Sequence, residues 1–409
     1  MNTRSETCPS VTLPIAARRR SAAAELVLGM AHGLRGGTAV FSLPDGDAVE
    51  CGSGEPRLHC IVHDENVFER VLAHGDIGFA EGYMAGEWDS DHLGELLTLL
   101  ASNRDTLARA LHGSAWRVFR HRLRHILRSN TRKGSRRNIE AHYDLGNAFY
   151  REWLDPGMTY SSARFDSPEQ SLESAQLNKY RSLLRALDVQ PGQHLLEIGC
   201  GWGGLAEVAA TEFGCRVTGL SLSPAQLAWA RQRAMDGGFA DRAEFHLRDY
   251  RDERGVYDHI VSIEMIEAVG ERYWPTYFRQ LSNCLKPGGR IGIQAITIAD
   301  ELFAGYRRGT DFIQRYIFPG GMLPSPSAIR QQAVRVGLRI VDQQAFGLAY
   351  ARTLVHWRAA FEAKLATIKA QGFSERFVRM WRFYLCYCEA GFRAGSTDVY
   401  HYVLTHADT

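Results

Sequence analysis

Short apolar runs alternate with helical stretches along the second half of the chain. Residues 194–199, 216–220, 243–247, 259–263 and 290–298 are predicted strands. Apolar residues at helical spacing fill much of the sequence between them, and they predict helices after the first and second strands. Strands that alternate with helices in this way form a parallel sheet that is covered on both faces.

The first part of the chain follows a different pattern. Residues 38–43 and 57–62 are predicted short strands. Apolar residues at helical spacing then extend over residues 67–100. Four glycines interrupt that spacing: Gly75, Gly78, Gly82 and Gly86. We therefore predict a smaller N-terminal α+β domain over residues 1–103.

Residues 104–137 are strongly basic, with Asp105 as the exception. Apolar residues such as Trp116 and Phe119 are interleaved with the arginines, which is typical of a basic amphipathic helix on an anionic membrane. A linker helix that packs its apolar side on its own protein explains the pattern equally well. The segment thus predicts either a membrane-docking helix or a linker.

Length and composition support two domains without a metal site. The chain has 409 residues, of which 45% are hydrophobic, and its formal net charge of +2 does not indicate a nucleic-acid-binding protein. Its 8 cysteines are scattered without C-x-x-C spacing, so no metal is predicted. The apolar stretch at residues 22–30 is too short to span a bilayer and lacks a secretory cleavage pattern. We expect a cytoplasmic protein, peripheral on the inner face of the membrane.

A glycine-rich turn at residues 199–204 joins the first strand of the sheet to a helix. Backbone N–H groups at such a helix start face the crevice above the sheet, and glycines there allow a ligand to approach closely. A dinucleotide fold would use G-x-G-x-x-G and an acid after the second strand, whereas this turn is G-x-G-x-G-G and the second strand ends in Ser221-Leu222-Ser223. The pattern favours S-adenosylmethionine (SAM), with Glu197 orienting the loop or the methionine amine.

Asp249 and Tyr250 follow the third predicted strand. A carboxylate there could meet an adenine amine, and the tyrosine ring could stack on the base. An ordinary helix-capping role for Asp249 is the alternative.

Several motifs recur in one order along the chain. They include His142-Tyr143-Asp144-Leu145-Gly146-Asn147, Met158-Thr159-Tyr160-Ser161, the turn at 199–204, Glu264-Met265-Ile266-Glu267-Ala268-Val269-Gly270 and Tyr316-Ile317-Phe318-Pro319-Gly320-Gly321. Together they resemble the cyclopropane-fatty-acyl-phospholipid synthase family, which includes the mycolic acid cyclopropane synthases. The resemblance covers about residues 138–405, and residues 78–88 are similar to the leader domain of the phospholipid-acting members.

The resemblance implies an α/β fold: a Rossmann-like, class I SAM methyltransferase domain over residues 138–409 with a mostly parallel seven-stranded sheet. It also implies that the methyl carbon of SAM is transferred to the cis double bond of an unsaturated phospholipid acyl chain. Such a reaction leaves a carbocation, which aromatic faces stabilise and a base must deprotonate. In this family the base is implied to be a bound bicarbonate ion, and the product a cyclopropane ring.

By the same resemblance, five residues hold the bicarbonate: Ser162 and Ile296 through their backbones, and Glu267, Gln294 and Tyr350. Ser162 stands where the best-known members have a cysteine, and Gln294 stands where they have a histidine. A glutamine can donate a hydrogen bond but cannot relay a proton. Satisfying a neighbouring strand-end carbonyl is the alternative role for Gln294.

The expected cofactor contacts combine the resemblance with the turn. They are Tyr160, Ser161, Glu197, Gly199, Gly201, Gly203, Ser221, Leu222, Gln226, Asp249 and Tyr250. Gln226 is expected to reach a ribose hydroxyl from the helix after the second strand, where other folds use an acid.

Apolar residues of the insertion at 298–324 and of the C-terminal region are candidates for the wall of an acyl tunnel. They are Tyr306, Phe312, Tyr316, Ile317, Phe318, Met322, Trp357, Phe361, Phe377, Trp381, Phe383, Tyr384 and Tyr387. For any single one of them, plain helical core is an equally good interpretation.

Other outcomes remain open. The same methyl transfer could end in a 10-methylene chain, which a partner reductase would convert to a methyl branch. A nucleic-acid methyltransferase is disfavoured, because the chain lacks an Asn-Pro-Pro-Tyr-like tetrapeptide and a nucleophilic Pro-Cys pair. The sequence leaves the oligomeric state open, with a homodimer as one alternative.

Overall fold

The structure, a computed structural model, describes residues 20–110 and 145–407. Most of the basic segment at 104–137 lies outside the described residues, and so does the first half of the motif that begins at His142. The membrane-docking and linker interpretations of that segment therefore both stay predictions. Within the described ranges, no helix is long and apolar enough to cross a membrane.

The N-terminal part contains a small mixed sheet with helices beside it. Within the described residues its four strands lie in the order β2-β1-β3-β4, with β1 antiparallel to β2 and parallel to β3. The strands are β1 (Gly37–Ser42), β2 (Ala48–Ser53), β3 (Arg57–Val62) and β4 (Trp88–Asp89). The helices are α1 (Ala22–Ala31), α2 (Asn66–His74), α3 (Asp76–Ala85), α4 (Leu93–Ser102) and α5 (Arg104–Ala110). The sequence predicted β1 and β3 but not β2.

A larger sheet forms the second part of the molecule. Among the described residues it has seven strands in the order β10-β11-β9-β8-β5-β6-β7. The strands are β5 (His194–Ile198), β6 (Arg216–Ser221), β7 (Ala243–Leu247), β8 (Tyr257–Ile263), β9 (Leu285–Ile298), β10 (Leu338–Ala345) and β11 (Thr397–His406). Strands β5 to β9 pair in parallel, whereas β11 is antiparallel to both β9 and β10. This confirms the predicted mostly parallel, Rossmann-like sheet.

Helices also belong to this second part, and several of them pack directly on the sheet. They are α6 (Gly146–Arg151), α7 (Leu172–Ala186), α8 (Gly204–Thr211), α9 (Pro224–Asp236), α10 (Ile266–Val269), α11 (Trp274–Cys284), α12 (Asp300–Tyr306), α13 (Pro326–Arg335), α14 (Gly347–Ala363), α15 (Leu365–Ala370) and α16 (Glu375–Arg393). A π-helical turn, Ile313–Ile317, lies in the insertion after β9. Strand β5 is almost wholly buried, as expected of a central strand with helices on both sides.

One aromatic core joins the N-terminal part to the C-terminal helices. Trp88 and Tyr83 belong to the same buried cluster as Trp381 and Phe383 of α16. Arg379 of α16 also donates hydrogen bonds to the backbone carbonyls of residues 83 and 88. The N-terminal part therefore supports the helices that wall the site described below.

Helices α2 and α3 pack closely at Gly78. A Cβ at this position would lie 2.0 Å from the carbonyl oxygen of Arg70, so the helices must separate to accept any side chain. We expect Gly78→Ala to lower the free energy of unfolding by about 1–3 kcal/mol, the usual cost of overpacking. The control is Gly29→Ala in α1, where a Cβ meets nothing within 4 Å. Helix propensity should make that change neutral or stabilising. Equal unfolding midpoints in urea for the two variants would contradict the close contact.

Candidate active site

A cleft opens at the carboxyl ends of β5, β6 and β8, where sheets of this type bind ligands. Most of the predicted cofactor contacts lie on its wall. These are Tyr160, Ser161, Glu197, Gly199, Gly201, Ser221, Leu222, Gln226 and Tyr250. The structure thus brings together residues from the loop before α7, from the glycine turn, and from the segment between β6 and α9.

The glycines of the turn have different roles. Gly199, Gly201 and Gly203 all have positive φ angles, of 86°, 51° and 83°, which glycine adopts without strain. A Cβ at Gly201 would meet nothing within 4 Å, so this residue leaves the cleft open. A Cβ at Gly203 would lie 3.0 Å from the Cβ of Ala230, because Gly203 packs against α9. Gly203 is not among the residues that line the cleft, and its contact with the cofactor stays a prediction.

Asp249 is likewise off the cleft wall. It caps the short turn Tyr250–Asp252 by accepting a hydrogen bond from the backbone N–H of Arg251 at 2.9 Å. Its carboxylate also accepts from the Arg251 guanidinium, with an Nε to Oδ1 distance of 2.8 Å. The capping alternative describes its position, while the neighbouring Tyr250 does line the cleft.

Two polar features of the cleft fit SAM. Glu197 is 4% exposed, and its Oε2 has no hydrogen-bond partner among the described residues. Burial raises the pKa of Glu197 to about 8, and the charges of Lys179 and Arg233 oppose that rise. A buried acceptor without a donor suits a ligand that brings an ammonium group. On the opposite side, Ser221 Oγ donates to Gln226 Oε1 at 2.9 Å, which fixes the Gln226 amide beside the cleft.

A second, apolar cavity adjoins the cleft. It has a volume of about 1340 Å³ including its open mouth, and the two cavities share Tyr160, Glu264 and Ala268. Five of the predicted tunnel residues line it: Tyr306, Phe318, Met322, Tyr384 and Tyr387. The others pack in or against the aromatic core: Phe312, Tyr316, Ile317, Trp357, Phe361, Phe377, Trp381 and Phe383. For those residues the core interpretation is correct.

Glu264 lies where the two cavities meet. Three donors among the described residues hold its carboxylate. The Ser162 N–H and Gln294 Nε2 donate to Oε1 at 2.8 and 2.7 Å, and the Tyr350 hydroxyl donates to Oε2 at 2.7 Å. The φ angle of Glu264 is +47°, a left-handed conformation that costs a residue with a side chain about 1–3 kcal/mol. Such strain is typical of functional sites.

These donors were expected to hold a bicarbonate ion. In the structure they are bonded to the side chain of Glu264 instead, so the residues present do not fit a separate ion in the same cradle. The family resemblance assigns a role to Glu267 but not to Glu264, three residues earlier in the same motif. In the structure, the three donors contact Glu264 and not Glu267.

Glu267 faces the apolar cavity. Its Oε1 accepts from the backbone N–H of Ile296 at 2.5 Å. Its Oε2 has no hydrogen-bond partner in the described parts of the chain. Burial, together with the negative charge of Glu264, raises the pKa of Glu267 to about 8. Glu267 is therefore mainly protonated at neutral pH.

A histidine that the sequence did not reveal holds Gln294. His401 of β11 is opposite Gln294 of β9, and its Nε2 lies 2.8 Å from Gln294 Oε1. Burial lowers the pKa of His401 to about 3, so the ring is neutral and can donate that Nε2 proton. The amide oxygen of Gln294 thus faces His401, and its Nε2 faces Glu264. The same Nε2 also lies 3.3 Å from the carbonyl oxygen of Ser162, which belongs to a loop and not to a strand end.

The described residues contain no group of histidine, cysteine and acidic side chains that could hold a metal ion.

Comparison with known proteins identifies the family. Residues 130–402 match the family model "Mycolic acid cyclopropane synthetase". The chain is 44% identical to the tuberculostearic acid methyltransferase UfaA1 of Mycobacterium tuberculosis over 370 residues, which cover 88% of this chain and 86% of that protein. It is 34% identical to the cyclopropane-fatty-acyl-phospholipid synthase of Escherichia coli K12 over 355 residues, 84% of this chain and 87% of that one.

Solved structures agree. The cyclopropane synthase MmaA2 of M. tuberculosis superposes with a TM-score of 0.62 at 32% identity, covering 66% of this chain and 97% of that one. The mycolic acid cyclopropane synthase CmaA1, in complex with SAH and CTAB, gives a TM-score of 0.62 at 31% identity with the same coverage. The chain therefore belongs to the mycolic acid cyclopropane synthetase family and is a SAM-dependent methyltransferase.

Proposed function

We propose that the protein transfers the methyl carbon of SAM to the cis double bond of an unsaturated phospholipid acyl chain. One observation carries the proposal: a held carboxylate, Glu264, stands where the polar cofactor cleft meets an apolar cavity. A methyl donor on one side and an alkene on the other would meet at this junction. A base is needed there, because methyl transfer to an alkene leaves a carbocation that must lose a proton.

The chain's own residues would hold the cofactor in the cleft. The acceptor Oε2 of Glu197 suits the ammonium group of SAM, and the open face of Gly201 admits its body. Gln226, fixed by Ser221, stands ready for a ribose hydroxyl. When bound, SAM supplies an electrophilic methyl group.

The apolar cavity suits an acyl chain. Aliphatic and aromatic side chains such as Ile296, Leu354 and Phe392 line it, so an alkene there would be shielded from water. At the junction, the hydroxyls of Tyr160 and Tyr384 lie 2.8 Å apart. The faces of these two rings can stabilise a nearby carbocation by cation–π attraction.

We propose Glu264 as the base. Two neighbouring carboxyl groups with different surroundings divide acid and base roles between them. Burial raises the pKa of Glu264, and the charge of Lys179 and three hydrogen bonds oppose that rise. Glu267 accepts one hydrogen bond, from Ile296, and burial together with the charge of Glu264 raises its pKa to about 8. Glu264, the carboxyl group with more support for its ionised form, would take the proton, and the bicarbonate expected from the family resemblance would not be required.

Two products satisfy this chemistry. Loss of a proton from the methyl carbon closes a cyclopropane ring, the product expected from the family resemblance. If a hydride first shifts from the methyl-bearing carbon to the neighbouring cationic carbon, loss of a methyl proton instead forms a C=CH₂ double bond. The resulting methylene chain would be converted to a methyl branch by a reductase partner. The chain is 44% identical to a tuberculostearic acid methyltransferase and 34% identical to a cyclopropane synthase. This difference in identity is the reason to keep the methyl-branched product as a second candidate.

The proposal includes peripheral association with a membrane. A phospholipid substrate places the enzyme at the surface of the bilayer as a peripheral protein on the cytoplasmic face, without a role for nucleic acid. A homodimer remains part of the proposal.

The role of Gly201 can be tested by filling the cleft. We expect Gly201→Val to weaken SAM binding at least about tenfold, because a side chain there enters the open space and strains the left-handed backbone. Gly192→Val is the matched control, since Gly192 has a φ of +82° and equally free space but lies outside the cleft. Calorimetric titration with SAM measures both. Equal loss of affinity in the two variants would mean that strain, and not the cleft, explains the effect.

The base can be tested by an isosteric change. We expect Glu264→Gln to reduce turnover about 10²–10⁴-fold, the usual contribution of a general base, while SAM affinity changes little. Wild-type enzyme in buffer depleted of carbon dioxide should keep full activity. The control is Glu271→Gln, which removes an acid paired with Arg307 away from both cavities. Activity that depends strictly on added bicarbonate would return the base role to the ion.

The function itself is tested with SAM labelled with ¹³C in the methyl group. Vesicles of a cis-unsaturated phospholipid should gain the labelled carbon as one CH₂ unit, and vesicles of the saturated analogue should not. Carbon NMR then distinguishes a ring methylene from an olefinic methylene, which have equal mass. Absence of label from every unsaturated lipid tested would refute the proposed function.

A further inference from the structure

Helix α7 carries a fully buried lysine beside the junction of the two cavities. Lys179 is 0% exposed, and its Nζ donates to Ser161 Oγ at 2.6 Å. The same Nζ lies 4.6 Å from the centre of the Tyr180 ring. Taking an ammonium group out of water costs several kcal/mol unless opposite charges and hydrogen bonds compensate. Its retention here needs an explanation.

Acidic groups surround Lys179 from three directions. Asp155 follows α6, Glu197 is on β5, and Glu264 follows β8. Burial lowers the pKa of Lys179 to about 7, and Glu264 is the first of the charges that oppose this fall. Asp155 already accepts hydrogen bonds from the backbone N–H groups of Gly157 and Thr159. The other two acids that act on Lys179, Glu264 and Glu197, both line the cleft.

Helix α7 also holds the backbone that contacts Glu264. Gln176 Nε2 donates to the carbonyl oxygen of Ser161 at 2.9 Å, while Lys179 binds the hydroxyl of the same serine. The next backbone amide, that of Ser162, donates to Glu264 at 2.8 Å. One helix thus fixes the position of a donor to the proposed base and places a positive charge near it.

We propose that Lys179 is a positioning residue for the base site: it holds Ser161 so that the Ser162 N–H points at Glu264, and its charge stabilises ionised Glu264. The inference rests on the proposed function, in which Glu264 accepts the proton. In that step a C–H bond of the methylated chain breaks and its proton bonds to a Glu264 oxygen. The electron pair of that bond forms the new carbon–carbon bond, and Lys179 keeps its own proton.

The other groups around the pair do not replace Lys179. Tyr180, Tyr350 and Gln294 are neutral at physiological pH, since burial raises the pKa of both tyrosines. His401 is neutral behind Gln294, and Glu267 adds negative charge when ionised. Among the charges that act on Glu264, Lys179 is the one that lowers its pKa, against the rise that burial causes.

The ionisation of Glu264 can be measured without turnover. The infrared carbonyl band of a protonated carboxyl group, assigned by its loss in Glu264→Gln, is followed as a function of pH. In Lys179→Met the midpoint should rise by about one pH unit or more, a change equivalent to at least tenfold in the ionisation constant. Turnover at neutral pH should fall by about tenfold or more and recover as the pH rises.

Two further variants make the result specific. Lys179→Gln keeps a donor for Ser161 without the charge, so it should show the raised midpoint, and it serves if the methionine variant does not fold. Arg181→Met is the matched control, because it removes a cation from the same helix that faces outwards and pairs with Glu212. Its Glu264 midpoint should equal that of the wild type.

The outcomes separate this inference from the proposed function. If Lys179→Met and wild type share one midpoint, the charge role of Lys179 is wrong, even if lipid methylation occurs and depends on Glu264. If the wild type methylates no lipid, the proposed function fails. The infrared titration still decides whether Lys179 controls the ionisation of Glu264.

Discussion

A carboxylate that is removed from water must be paired or hydrogen-bonded, and this requirement governs the centre of the molecule. Glu264 meets it with donors from three places that are far apart in sequence: the loop before α7, strand β9 and helix α14. The left-handed backbone of Glu264 costs energy, and the three hydrogen bonds offset that cost.

Much of the surrounding architecture serves this one group. Strand β11 inserts between β9 and β10 and places His401 behind Gln294, which orients the amide. Helix α7 holds Ser161 through Gln176 and Lys179. The aromatic core shared by the N-terminal part and α16 packs against α14, which carries Tyr350. The polar cleft and the apolar cavity then meet at a carboxylate whose position is fixed from several sides.

The parallel part of this structure could be predicted from the sequence. Strands β5 to β9 contain the apolar residues that predicted them. The glycines of the turn favour its left-handed backbone, which the structure has. Strands β2 and β10 were not predicted, because half or more of their residues are exposed and they therefore lack an apolar run. Strand β11 follows a long helix and pairs antiparallel, against the alternation that predicted the others. Gly203 and Asp249 are not among the residues that line the cleft, although their neighbours along the chain are.

The central contacts could not be predicted from local pattern. Glu264 and Glu267 stand three residues apart in one motif, and only the fold decides which of them meets Ser162, Gln294 and Tyr350. A lysine in a mixed polar helix is usually exposed, so nothing local marks Lys179 as buried. The sequence predicted which apolar residues were candidates for the tunnel wall. Whether each of them lines the cavity or packs in the core depends on how α14 and α16 pack, which the sequence pattern does not show.

The most direct measurement is a crystal structure of the enzyme with S-adenosylhomocysteine, from crystals grown in bicarbonate. The account predicts continuous side-chain density from Glu264 to the Ser162 N–H, Gln294 and Tyr350, with no separate ion among these donors. A Glu264 side chain turned away, with a planar ion bound by the same three donors, would contradict it.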